Sequence, residues 1–284
     1  MGSLWMLVAG LLFACMSALV KYSAPYFSSS ELVFYRSFFG LLVVYGMLRQ
    51  QQVTLHTAHW REHLWRGLSG TLAMMLFFYC ITVLPLATAI TLNYTSSLFL
   101  SALTVWVLKE KFHAPLSSSL ILGFAGVVLL LHPTLMQDQL VPGLLGLISG
   151  MLAGVALLNV RQLGLLGESG MRVVFYFNLI ATLVSGAWML QYPLHPVALS
   201  DLLLLVTIGA SATFAQLAMT RAYRTGQTLV VGSLAYSTIV FSALFGLLFW
   251  NELLSLSAWF GIALIIASGM LSLRLSPHLK EITK

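Results

Sequence analysis

Charge is what this sequence lacks. Only 8% of its 284 residues are Asp, Glu, Lys or Arg, against about a quarter in a soluble globular domain. Acids are the scarcer sign, eight against fourteen basic residues. So few charges cannot cover a water-facing surface, which excludes a soluble fold. Long polar stretches are missing too: the widest gap between apolar runs, Arg49 to Arg66, is about 18 residues. That is too short for a soluble catalytic domain of ordinary size. Cysteine is nearly absent, and Cys15 and Cys80 both fall inside apolar runs, where they read as small packing residues. The eight prolines lie at the ends of apolar runs, so helices unwound at mid-span are not expected.

What is present is apolar, 59% of the chain. A spanning helix needs about 20 mostly apolar residues. Such runs centre on 4–20, 32–48, 67–84, 86–108, 115–131, 140–160, 172–190, 200–222, 228–250 and 255–273. The first lacks the basic n-region of a signal peptide and is followed by nine more, so it reads as the first span. The fold class is therefore an all-α integral membrane protein with ten transmembrane helices, and the lipid bilayer is its surrounding partner. Asn93-Tyr94-Thr95 matches a glycosylation sequon but lies within a span, out of reach of a glycosyltransferase.

Cytoplasmic loops are enriched in lysine and arginine, and with both termini cytoplasmic the basic residues sort accordingly. The inner face then collects Arg49, Arg61, Arg66, Lys109, Lys111, Arg161, Arg172, Arg221, Arg224, Arg274, Lys280 and Lys284, twelve of the fourteen. Lys21 falls outside and Arg36 within a span. The net charge of +6 is thus an orientation signal. No polybasic cluster or aromatic interleaving supports a nucleic-acid partner.

The stretch NYTSSLFLSALTVWVLKE, from Asn93, has a weaker copy in AYSTIVFSALFGLLFWNE, from Ala235. A shift of 142 aligns Tyr94 with Tyr236 and Glu110 with Glu252; 141 aligns Phe34-Tyr35 with Phe175-Tyr176; 140 aligns Gly10 with Gly150 and Lys21 with Arg161. Anchors at almost one offset indicate two five-helix halves, 1–133 and 140–274, followed by a short cytoplasmic tail, 275–284. Five is odd, so the halves are inverted copies about an axis in the membrane plane, the arrangement that suits alternating access to a site near the midplane.

These features, with an arginine early in the second span (FYRSFFGLL), the passage LPLATAITLNYTSSLF, and a glutamate closing the fourth span before a glycine-bearing fifth (VLKEKFHAPLSSSLILGFAGVVLLL), resemble the EamA-type branch of the drug/metabolite transporter superfamily. The resemblance covers essentially the whole chain. It implies a multi-pass transporter of the bacterial inner membrane and leaves the substrate open, since similar proteins export amino acids, aromatic compounds and metallophores or take up cofactors. The second half departs from the pattern, with Phe177 where the first has Arg36.

Arg36 is the costliest residue in the chain, about 2.5–3.5 kcal/mol at a span centre on insertion scales. It either snorkels or pairs with nearby Glu31 as a tether, or meets a substrate carboxylate or an outer gate. Glu110 and Glu252 close their helices and suit capping and gating contacts. All eight acids, Glu31, Glu62, Glu110, Asp138, Glu168, Asp201, Glu252 and Glu281, fall at span ends or in loops. Proton-coupled carriers usually need an ionisable group at depth, so facilitated diffusion is favoured over tight proton antiport. At depth stand neutral groups: Tyr79 and Thr82; Asn93, Tyr94 and Ser97; Gln216 and Thr220; Tyr236 and Ser237. Asn93 shares a helix face with Ser97, and Gln216 with Thr220. These groups either bond helix to helix or line a cavity for a small amphipathic metabolite.

Gly143, Gly146, Gly150 and Gly154, with Gly10, Ala14 and Ala18 as counterparts, predict close helix packing. His56, His59 and His63 share spacing that could hold a metal, but a solvated linker anchored by Trp60 and Trp65 is the plainer reading, and neither a metal nor a cofactor is expected. The expectation is a non-enzymatic carrier of a small amino-acid-like or aromatic metabolite, working by alternating access and more outward than inward. Import or proton-coupled antiport on the same fold are the alternatives. A membrane enzyme of lipid chemistry would need clustered Asp or His near a membrane face, which is absent. The chain is either a monomer or a homodimer.

Overall fold

The computed structural model of the protein describes residues 4–96, 98–100, 102–103, 121–123, 125–130, 139–191, 194–225 and 234–275. Among these residues it contains helices and connecting turns but no strand. The helices are α1 (Trp5–Ser23), α2 (Ser29–Gln50), α3 (Trp60–Val83), α4 (Leu86–Tyr94), α5 (Ile121–Leu130), α6 (Leu140–Leu165), α7 (Gly170–Met189), α8 (Leu199–Thr225), α9 (Ser237–Trp250) and α10 (Leu256–Leu275). By length and composition α1, α2, α3, α6, α7 and Asp201–Met219 of α8 can cross a membrane; α5, α9 and Leu256–Ser268 of α10 are shorter apolar helices.

Local chemistry sets the helix ends. Ser28 caps α2: its Oγ accepts from Glu31 N at 3.3 Å while its own N–H donates to Glu31 Oε2 at 2.8 Å, a reciprocal capping box. Pro85 forces Leu84 into an extended conformation, which stops α3. Asn251 ends α9 in the left-handed region, φ 51°, a conformation asparagine tolerates better than most residues. That turn carries the chain back so that Glu252 N donates to Gly246 O at 3.1 Å.

α3 packs along α6 and α7, α1 along α8 and α9, α2 along α7 and α8, and α4 between α6 and α9. One apolar cluster, including Leu32, Phe78, Ile81, Ile90, Phe177, Ile208 and Ile239, ties these helices together. The predicted glycine contacts are present. A Cβ on Gly150 would lie 2.4 Å from Thr95 Oγ1 and 2.5 Å from Leu92 O, and one on Gly10 would lie 2.6 Å from Ser237 Oγ. Only glycine lets α6 approach α4, and α1 approach α9, this closely.

One expectation is corrected. The sequence predicts uninterrupted spans, yet the helical ladder breaks at Thr95, after α4, and at Tyr236, before α9. Thr95 Oγ1 donates to Leu92 O at 2.6 Å, and Thr238 Oγ1 to Ala235 O at 3.0 Å. Such back-bonding competes with the main chain and bends helices. The ladder tightens to three-residue steps there, with Leu98 N donating to Thr95 O at 2.9 Å and Ile239 N to Tyr236 O at 3.0 Å.

The linker before α3 folds onto the start of α7. Tyr176 Oη donates to Leu55 O at 2.8 Å and Arg172 Nε to Thr54 O at 2.9 Å. Trp60 and Trp65 are exposed, as suits interface anchors. His63 instead turns inward, its Nε2 3.6 Å from Glu168 Oε2 and its ring 4.6 Å from that of Tyr176.

Candidate functional site

A cavity of about 290 Å³ opens among these helices, close to the lower end of the roughly 300–1,000 Å³ range of small-molecule sites. Its wall is mostly apolar and aromatic, with Phe13, Met16, Met74, Phe77, Phe78, Ile90, Phe177 and Met219; the polar lining comes from Ser17, Arg36, Arg66, Asn93, Tyr94, Ser96, Gln216 and Thr238. α3 contributes Arg66, Gly70, Ala73, Met74, Phe77 and Phe78, one face at helical spacing.

That spacing explains which sequence-predicted residues reach the cavity. Asn93, Tyr94, Gln216 and Arg36 do. Tyr79 and Thr82 lie off the lining face of α3: Tyr79 is 37% exposed, and Thr82 Oγ1 donates to Tyr79 O at 2.7 Å. Tyr236 is buried, its ring 5.7 Å from that of Tyr94, but it does not line the cavity. Ser237 packs over Gly10. Ser97 and Glu110 lie outside the described residues, as does the side chain of Thr220.

Lining the cavity and bonding between helices are not exclusive roles. Asn93 Nδ2 donates to Ser149 Oγ at 3.0 Å, and Ser149 Oγ to Ala73 O at 3.0 Å, joining α4, α6 and α3. Tyr94 Oη donates to Thr238 Oγ1 at 2.9 Å, joining α4 to α9.

The arginines depart most from the sequence reading. A tether between Arg36 and Glu31 does not form. The Glu31 carboxylate accepts from Ser28 N and Oγ, each at 2.8 Å, and from His195 N at 3.1 Å, with His195 Nδ1 3.0 Å away. Arg36 is 7% exposed, lines the cavity, and has no partner at Nε or Nη1. Arg66, assigned from sequence to the cytoplasmic face, lies two turns into α3 and also lines the cavity, its Nε and Nη1 buried and unpartnered. Both guanidiniums meet one ring, Phe177, at 4.3 Å for Arg66 and 5.8 Å for Arg36. A Cβ on Gly70 would lie 2.1 Å from Arg66 Nη1, so that glycine gives the guanidinium its seat. The sequence does carry a trace of this: Arg66 precedes Gly70, Ala73 and Phe77 at the period of the lining face.

Two polar clusters lie at opposite ends of α3. At one, Lys21 forms an ion pair with Glu252 and donates to Leu84 O at 2.7 Å, while Glu252 Oε2 accepts from Leu86 N at 2.7 Å. A Cβ on Gly246 would come within 2.6 Å of that oxygen. At the other, Glu168 accepts from Arg172 Nη1 at 2.6 Å and from Thr57 Oγ1 at 2.5 Å. Burial works to raise the Glu168 pKa, but these hydrogen bonds and the charges of Arg172 and His63 outweigh it and hold the carboxyl below its ordinary value.

The EamA-like transporter family matches residues 1–132 and 141–274. A pseudopaline exporter of Pseudomonas aeruginosa is 32% identical over 95% of this chain and 92% of its own. An S-adenosylmethionine uptake transporter of Rickettsia prowazekii is 25% identical over 93% of this chain and 90% of its own. A crystal structure 18% identical in sequence superposes with a TM-score of 0.67, covering 100% of this chain and 99% of that one; it shows likeness of fold alone.

Proposed function

The chain belongs to the EamA-like transporter family and is a multi-pass membrane transporter, and on that premise we propose that it moves a small amphipathic organic metabolite, amino-acid-like or aromatic, out across the bacterial inner membrane by alternating access. The observation that carries this reading is the composition of the cavity wall, drawn from both proposed halves and combining aromatic faces with amides, hydroxyls and guanidinium groups. An amphipathic metabolite needs both kinds of contact.

The helix pairings support an inverted repeat. Exchanging α1 with α6, α3 with α8 and α4 with α9 turns the α3–α6 contact into α8–α1 and the α1–α9 contact into α6–α4, all of which are present. Residues equated by the repeat also meet in space: Tyr94 faces Tyr236, and Arg36 faces Phe177. A two-fold axis between the halves brings equivalent positions together in this way. Such halves can exchange conformations, opening the cavity alternately to each side.

In this mechanism Arg36 holds a substrate carboxylate, while Asn93, Tyr94 and Gln216 meet other polar atoms. No acid lines the cavity among the described residues, which favours facilitated movement over tight proton coupling. Export follows the pseudopaline exporter; import is the second reading, favoured by the relative named for uptake. Uptake of labelled amino-acid and aromatic acids into oriented proteoliposomes, with and without a pH gradient, tests the proposal. Saturable movement, indifferent to the gradient, lost in Asn93→Ala and retained in Tyr79→Ala, is expected. No movement of any compound, or loss in Tyr79→Ala alone, would sink it.

A further inference from the structure

Building on the proposed transport function, we infer that the substrate carries two carboxylates, one for Arg36 and one for Arg66. A buried guanidinium normally has a partner, because an isolated charge away from water is among the costliest groups a fold can hold. Here two such groups face one cavity, and in each Nε and Nη1 are buried with no hydrogen-bond partner. The ion pairs of the described acids go elsewhere: Glu252 to Lys21, Glu168 to Arg172 and His63, and Glu31 to His195. The two cations also meet the same ring, that of Phe177, so they repel each other.

A ligand with one carboxylate satisfies one guanidinium and leaves the other buried without a partner. Two carboxylates on a short spacer neutralise both, and each planar fork can take its carboxylate through paired N–H donors. The apolar wall of Phe13, Met74, Phe77 and Phe78 then accommodates the hydrocarbon or aromatic part. Arg66 thereby becomes the residue that separates dicarboxylates from monocarboxylates.

Matched probes isolate the second charge. N-benzoylglutamate and N-benzoylglutamine share size and ring and differ in one carboxylate. Binding to the purified protein in detergent, measured by isothermal titration calorimetry, should favour N-benzoylglutamate by about tenfold to a hundredfold, the value of one charge-assisted pair. Arg66→Gln should abolish that preference, the two probes then binding within about twofold of each other. Arg66→Lys, which keeps the charge, should retain part of it. Thermal unfolding of each variant checks its fold, and Gly70→Ala, which displaces the Arg66 guanidinium without removing it, should weaken the same preference.

Equal binding of the two probes, binding of neither, or a preference that survives Arg66→Gln would overturn the inference. Tighter binding of phenyl phosphate than of N-benzoylglutamate would overturn it as well, pointing to one doubly charged group. Failure of the transport reading looks different: the dicarboxylate preference would persist in the binding assay while proteoliposomes moved neither probe.

Discussion

Replacing Glu252 by glutamine should open the cavity from the end that carries Lys21. The Lys21–Glu252 pair joins α1 to the turn after α9, and its flanking bonds to Leu84 O and Leu86 N bring in the α3–α4 turn. Both side chains are largely buried, 11% and 16% exposed. Removing one partner of a fully buried pair costs about 3–5 kcal/mol. The residual exposure and the surviving amide contact argue for less, about 2 kcal/mol. If that energy holds only the closed state together, its loss shifts the opening equilibrium by about 30-fold, at 1.4 kcal/mol per factor of ten. Ser17 lines the cavity one helical turn below Lys21, which makes it a reporter. In a background lacking Cys15 and Cys80, Ser17→Cys should react with a membrane-impermeant maleimide about 30-fold faster when Glu252→Gln is present. An unchanged or slower rate, in a variant that keeps its thermal stability in detergent, would refute the latch.

The Glu168 cluster gives a pH prediction. The carboxyl is held below its ordinary value of 4.5, so the stability it contributes is complete above that value and is lost as pH falls through the lower folded-state pKa. The contribution of Glu168 to the unfolding temperature should be constant down to about pH 5 and fall below it, so Glu168→Gln should blunt the acid limb in a differential scanning fluorimetry series. Gly150→Ala places a methyl against Thr95 Oγ1 and Leu92 O and should destabilise by about 1–3 kcal/mol, the usual cost of overpacking, read as a lower midpoint in thermal unfolding. Thr238→Val keeps the shape but removes the acceptor for Tyr94 Oη and the back-bond to Ala235 O. It should cost about 0.6 kcal/mol, the average for an interhelical hydrogen bond in a membrane protein, and slow saturable uptake in proteoliposomes; an unchanged rate would remove Thr238 from the moving parts.

The all-helical membrane class was legible because periodicity is a property of the chain itself, and so were some contacts between residues aligned by the repeat. Tyr94 and Tyr236, aligned by an offset, prove to face each other, and Gly10 and Gly150 occupy equivalent seats against α9 and α4. Residue type and depth alone misled where the helix face decides the outcome. Tyr79 sits as deep in α3 as Phe78, yet turns to the exposed flank while Phe78 lines the cavity. The breaks at Thr95 and Tyr236 were not legible because no proline marks them, and a threonine hydroxyl bonding back to a carbonyl weakens the ladder without such a mark in the sequence.

Arg66 shows why counting charges along the chain does not reveal which of them reach a cavity. A basic residue near a span end satisfies the rule for cytoplasmic loops, and an arginine reaching into a cavity from that position satisfies it equally. What separates the two is whether the same helix leaves room one turn further on, here at Gly70, and whether an aromatic ring waits across the gap, here Phe177. Under the proposed repeat Phe177 is the counterpart of Arg36, so the two halves would differ in charge at a place where the two residues meet. The proposed exchange of roles between the halves draws on close backbone contacts such as those of Gly10 and Gly150, which are nearly equivalent. The two guanidiniums have no such exchange, since Arg36 and Arg66 both come from the first half. In the proposed mechanism the helices around the cavity alternate while the two guanidiniums stay on one wall, so that one site would serve both faces of the membrane.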